Sequence, residues 1–121
     1  MPAFSKASLE KLSTCHPALQ RIAHEAIKRT DFTVLCGFRG KEDQHQAFVD
    51  GFSGLDWPDS RHNSNPAEAF DLAPYPVDWK DLKRFRTLAM IVLEEAARLG
   101  IRLTWGGDFK RVDMPHFELT R

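Results

Sequence analysis

Two of the five histidines keep company that could do chemistry. His62 lies in the polar stretch Ser60-Arg61-His62-Asn63-Ser64-Asn65, which runs on into the apolar segment Ala69-Phe70-Asp71-Leu72-Ala73. Asp71 is then a carboxylate at the edge of the core, where an unpaired charge costs enough to call for a cation or a metal. A loop of this length can fold back so that both side chains face one ion. His116 opens the apolar stretch His116-Phe117-Glu118-Leu119, and Asp113 sits on the turn before it, held by Pro115. A His, Asp, His set supplies three protein donors and leaves a fourth tetrahedral position for water, as catalytic rather than structural zinc sites do. A carboxylate three residues before a ligand, as Asp113 is, can take a proton from that water. Spacing alone leaves other readings open. A histidine at the start of a strand can simply pack, Asp113 can cap its turn, and His-x8-Asp is no self-sufficient motif.

The other titratable candidates read differently. His16, His24 and His45 fall in or beside predicted helices without ligand spacing, which points to solvated or capping roles. Cys15 and Cys36 are far apart and form no CxxC pair, so both are expected as buried or half-buried thiols rather than a disulfide or a nucleophile.

The elements that must position these residues can be traced by periodicity. Ser5 and Ser8 can cap a short first helix, and Pro17 suits the first turn of a second one that runs to about Thr30. Leu19, Ile22, Ala23, Ala26 and Ile27 give that helix an apolar face. Phe32 to Cys36 reads as a strand, Gly37 and Gly40 bracket a turn that presents Phe38 and Arg39, and Lys41 to Phe52 reads as a helix. The polar tract from Gly51 to Asn65 predicts an irregular loop, Ala69 to Ala73 a short strand ended by Pro74 and Pro76. The longest helix is expected from about Asp78 to Leu99, stopped by Gly100. Ile101 to Thr104 and His116 to Leu119 complete the strands, with a turn at Gly106-Gly107. This order predicts an α+β domain, a small antiparallel sheet packed with helices.

Composition narrows the function classes. A chain of 121 residues with 42% hydrophobic content can bury one continuous core and is too short for two. Seventeen basic and seventeen acidic residues give a formal net charge of zero. No overall positive field therefore draws the chain to nucleic acid or to an anionic membrane. The start, Met1-Pro2-Ala3-Phe4-Ser5-Lys6, lacks the apolar stretch of a signal peptide, and no segment is long enough to cross a bilayer, so synthesis in the cytoplasm is expected.

Taken in order, several blocks resemble those of the LAS metallopeptidases, the group that includes VanY-like D-Ala-D-Ala carboxypeptidases. They are Cys36-Gly37-Phe38-Arg39, Gln44, Ser60-Arg61-His62 with Pro66-Ala67-Glu68-Ala69-Phe70-Asp71-Leu72-Ala73-Pro74, Trp105-Gly106-Gly107-Asp108-Phe109, and Asp113-Met114-Pro115-His116-Phe117-Glu118-Leu119. More narrowly they resemble the phage-endolysin branch, which cleaves between L-alanine and D-glutamate in peptidoglycan stems. The resemblance implies the LAS fold, Zn2+ held by His62, Asp71 and His116, and Asp113 as catalytic base. It also implies that Arg39 acts near the scissile carbonyl and that Gln44 and Ser60 contact substrate around the cleft. For Gln44 an exposed amide on a helix is an equally good reading. Two departures stand out: Phe109 where related endolysins often carry Trp, and Asp113 where many family carboxypeptidases carry Glu, which favours the endopeptidase branch. The nearest alternative is a D,D-carboxypeptidase acting on D-Ala-D-Ala ends, and another is a zinc-containing binding module without activity. The expected partner is a peptidoglycan stem peptide, with neither nucleic acid nor membrane. A monomer is expected, with residues 1–121 forming one catalytic domain and no separate wall-binding domain, reaching the cell wall after release by a separate pore.

Overall fold

The computed structural model describes residues 2–121. Two helices, α1 (Lys6–Leu12) and α2 (Pro17–Ala26), lead into strand β1 (Phe32–Cys36) and helix α3 (Lys41–Val49). Strand β2 (Ala69–Pro74), the long helix α4 (Leu82–Arg98) and strands β3 (Leu103–Trp105) and β4 (His116–Leu119) follow. The strands form one antiparallel sheet in the order β1-β2-β4-β3, in keeping with the expected α+β class.

Local chemistry sets the boundaries, and in several places it moves them from the sequence expectation. Ser5 caps α1 by accepting from the Ser8 backbone N–H. Ser8 is no second cap. It is buried, and its hydroxyl accepts from the Val34 N–H at 3.0 Å, pinning α1 to β1. His16 caps α2 through Nδ1, which accepts from Ala18 N–H at 3.0 Å. That helix ends at Ala26 rather than Thr30 because Lys28 and Arg29 turn into tighter bonds to the Glu25 and Ala26 carbonyls.

Helices α3 and α4 both close in Schellman motifs around a glycine of positive φ. At α3, Gly51 (φ 81°) is followed by Phe52, whose N–H returns to the Ala47 carbonyl, so the helix stops short of Phe52. At α4, Gly100 (φ 70°) is followed by Ile101, whose N–H bonds to the Ala96 carbonyl. Ile101 is thereby committed to the helix end, which is why β3 begins at Leu103. The start of α4 likewise shifts from Asp78 to Leu82, because Asp81 provides the cap while Asp78 closes a turn onto Lys80.

One face of the sheet is the core. Val34, Phe70, Leu72 and Phe117 lie beneath the apolar faces of α2 and α4, with the Phe70 and Phe117 rings edge to face at 6.1 Å. Asp71 alternates with Phe70 and Leu72 and so points to the opposite face. No helix among the described residues is long and apolar enough to cross a membrane.

Candidate active site

The second face of the sheet carries a cross-strand row. Asp71 on β2 sits opposite His116 on β4 and opposite Cys36 on β1, where the register shifts between Val34 and Cys36. Directly opposed residues on neighbouring strands project to the same side. His62 arrives above this row on a short 3-10 turn, Arg61–Asn63, capped reciprocally by Ser60 and Asn63.

The donor atoms form a tight triangle. His62 Nε2 is 3.1 Å from Asp71 Oδ1 and 3.2 Å from His116 Nδ1, which is itself 3.2 Å from Asp71 Oδ1. The outer ring nitrogens are engaged elsewhere. His62 Nδ1 lies 2.8 Å from the Gly37 carbonyl, and His116 Nε2 lies 2.8 Å from Glu118 Oε1. A carbonyl and a carboxylate can only accept, so these outer nitrogens carry the protons. In the neutral rings, His62 Nε2 and His116 Nδ1 then turn lone pairs toward a carboxylate oxygen. Three acceptors facing one point need a cation between them, and the residues present fit a metal ion. Cys36, His62 and Asp71 also form a group whose donor atoms lie within 4.8 Å of one another. That set is looser than the triangle completed by His116, and Cys36 Sγ stands beside it, 3.6 Å from Arg39 Nη2.

Without a metal a proton must take that place. Burial pushes His62 down, but its hydrogen bond to Asp71 and the charge of Asp71 outweigh this and carry it up to about 10. For Asp71, burial works upward while the hydrogen bonds from His116 and His62 hold the carboxyl well below the usual carboxylate range. The Cys36 thiol is pushed up by burial, yet its hydrogen bond to His62 and the charges of His62 and Arg39 leave it below its ordinary value.

A cleft of about 760 Å³ opens over this triangle, with Arg39, Ser60 and Asp113 in its walls. Asp113 is half-buried, and its carboxyl is raised, first by burial and then by the charge of Asp71. Its loop is pinned: the Asp113 N–H donates to the Gly106 carbonyl at 2.9 Å, and the Asp113 carbonyl accepts from the His116 N–H at 3.2 Å. Gly106 is required there, since a Cβ would collide with the Asp113 carbonyl and with His116. Phe109 packs at a tilt against the His116 ring, centroids 5.8 Å apart.

Arg39 and Gln44 act as a unit. Arg39 Nη1 donates to Gln44 Oε1 at 3.1 Å, and its Nη2 lies 3.6 Å from Asp71 Oδ2. Gln44 is fully buried, with its amide nitrogen donating to Ser53 Oγ and the Leu55 carbonyl. It is neither an exposed helix amide nor part of the cleft wall; it holds Arg39 from behind. Ser60 lines the cleft while its hydroxyl accepts from the His62 N–H at 3.2 Å. The other histidines stay apart: His45 is exposed beside Asp56, and His24 packs edge-on against Phe4. Both cysteines are free thiols.

Four residues at the site escaped the sequence reading. Glu118 holds His116, and Arg61 approaches Glu118 at 3.7 Å. Asn63 donates to the Gln44 and Arg39 oxygens, both at 3.0 Å. Cys36 completes the row beside Asp71. Glu118 had a signal, since two residues along a strand from His116 lies on the same face. The capping-box spacing of Ser60 and Asn63 was a second.

A family model described as phage L-alanyl-D-glutamate peptidase matches residues 2–121. The chain is 32% identical over 123 aligned residues to the L-alanyl-D-glutamate peptidase of Escherichia phage T5, covering 98% of this chain and 89% of the relative. Among solved structures, the Serratia marcescens L-Ala D-Glu endopeptidase ChiX superposes with a TM-score of 0.83 at 31% identity, covering 98% of this chain and 90% of the other.

Proposed function

The chain belongs to the phage L-alanyl-D-glutamate peptidase family, and from that premise we propose that it hydrolyses the amide between L-alanine and D-glutamate in peptidoglycan stem peptides, with Zn2+ held by His62, Asp71 and His116. The observation that carries this reading is the triangle of three potential metal-donor atoms, His62 Nε2, Asp71 Oδ1 and His116 Nδ1, 3.1 to 3.2 Å apart. Donors about 2.0–2.1 Å from a tetrahedral zinc lie about 3.3–3.4 Å from one another, so the pocket needs to relax by only a few tenths of an ångström. Three protein ligands leave one position open, whereas adding Cys36 would close the site as in a structural centre.

When bound there, the ion supplies the acidity that makes water a nucleophile near neutral pH. Asp113 accepts the proton of the attacking water, and its raised carboxyl can return that proton to the departing nitrogen of D-glutamate. Arg39 donates to the carbonyl oxygen as negative charge develops on it, held for this by Gln44. Ser60 acts through His62, whose turn it caps. Glu118 fixes the His116 tautomer. One chain supplies all of these groups, which supports a monomer as the working unit, and the likeness to an L-alanyl-D-glutamate peptidase supports the bacterial cell wall as the place of action.

The test is digestion of purified sacculi with and without a metal chelator, followed by mass analysis of the fragments. New L-alanine carboxyl and D-glutamate amino ends that vanish on chelation are the expected result. Release of free D-alanine instead would assign a D,D-carboxypeptidase, and no release at all a binding module.

A further inference from the structure

Three arginines line the cleft, and they differ in what neutralises them. Arg39 faces Asp71 at 3.6 Å, and Arg61 lies 3.7 Å from both Glu68 and Glu118. Arg111 has no carboxylate within 4.0 Å among the described residues, and it is exposed. Its guanidinium is nonetheless fixed. Nη2 donates to the Gly51 carbonyl at 2.6 Å, and the side chain lies along Gly54, where a Cβ would come within 3.0 Å of Arg111 Cδ. The arm thus reaches from the loop that carries Asp113 to the end of α3, lying over a glycine. A guanidinium has five N–H donors and a carbonyl accepts one here, so the others remain for a ligand. A cation held in place, without a counter-charge, in the wall of a substrate cleft is suited to a carboxylate.

The substrate class proposed above must present one. The nitrogen of D-glutamate lies in the scissile amide, and the stem continues through at most one of its two carboxyl groups. The other stays free, only a few bonds from the reacting carbon. Resting on the peptidase reading, we propose that Arg111 binds the free carboxylate of D-glutamate on the leaving side of the scissile bond, and so makes the enzyme select for glutamate over its amide. Asp113 follows two residues later on the same loop, so the backbone that carries Arg111 also carries the proton acceptor, their Cα atoms at most about 7 Å apart.

Two synthetic stem peptides that differ only in that group, carboxylate in one and carboxamide in the other, test the proposal on the zinc-loaded full chain. Wild-type protein should favour the carboxylate peptide by about tenfold to a hundredfold in kcat/KM, mostly through KM, the range of a hydrogen bond to a charged group. Arg111→Gln should lose this preference, its kcat/KM falling far more on the carboxylate peptide than on the carboxamide. Arg111→Lys keeps the charge without the planar fork and should retain part of the preference; should Arg111→Gln fail to fold, an Arg111→Lys protein with undiminished preference overturns the proposal. Equal losses on both peptides would make Arg111 a brace between loops and overturn it too, as would a wild-type enzyme indifferent to the two. A wild-type protein that cleaves neither peptide overturns the peptidase reading itself.

Discussion

Glu118 touches neither water nor substrate in the proposed reaction, yet it decides which nitrogen His116 offers to the metal. Its carboxylate lies 2.8 Å from His116 Nε2, with only 19% of the Glu118 side chain and 10% of the His116 side chain exposed. A hydrogen bond to a charged group contributes about 1.5–3 kcal/mol, against about 1 kcal/mol for a neutral pair. Glu118→Gln keeps an acceptor at the same place and removes the charge, a loss on the order of 1 kcal/mol. Metal affinity should therefore fall about fivefold to tenfold. Glu118→Ala removes the acceptor altogether and leaves His116 free to change tautomer, for which about tenfold to a hundredfold is expected. Competition for zinc against a chromogenic chelator at fixed pH measures both, with circular dichroism confirming that each variant is folded. If both variants held zinc as tightly as the wild type, the orientation argument for His116 would be wrong.

Within one short segment, His116→Ala should lose both zinc and turnover, whereas Asp113→Asn should keep zinc and lose about a hundredfold or more in turnover; elemental analysis beside muropeptide turnover checks the pair, and a fully active Asp113→Asn would end the mechanism. Cys36→Ser should retain the metal, and a zinc content that falls with it would make the thiol a ligand. Gly106→Ala should depress melting temperature and activity together, because the added methyl displaces the Asp113 loop from His116; a variant with wild-type turnover would refute that contact. The metal-free protein should melt at its highest temperature between about pH 4 and pH 6.5. His62, raised to about 10, lends stability that is complete below its unfolded pKa of about 6.5 and is lost as pH rises through 10. Asp71, held low, lends stability that is lost only as pH falls below the ordinary carboxylate range. With zinc bound the melting temperature should instead rise between about pH 5 and 7, since the ion displaces protons from its ligands. Scanning calorimetry of both forms decides this, and a metal-free melting temperature that climbs from pH 7 to 10 would contradict it.

Sequence by itself determined what could be carried by residue type and local period. The apolar stripe from Phe85 to Ala96 could only be a buried helix face, Gly100 could only end it, and alternation along Ala69–Pro74 sent Asp71 away from Phe70 and Leu72. The candidate donors His62, Asp71 and His116, with Asp113 and Arg39, were legible because those residue types recur in ordered blocks. The tertiary structure decided who stands beside whom. Cys36 meets Asp71 only through the β1–β2 register, which sequence spacing of 35 positions cannot encode. Gln44 was legible as a polar residue on a helix, but its burial behind Arg39 depends on how α3 lies against the loop at Ser53–Leu55. Ile101 looked like strand and became a helix cap, because an N–H is used once and the Ala96 carbonyl reached it first. Local pattern fixes which face a side chain takes, whereas a site is a coincidence of faces from separate elements, and only packing brings them together.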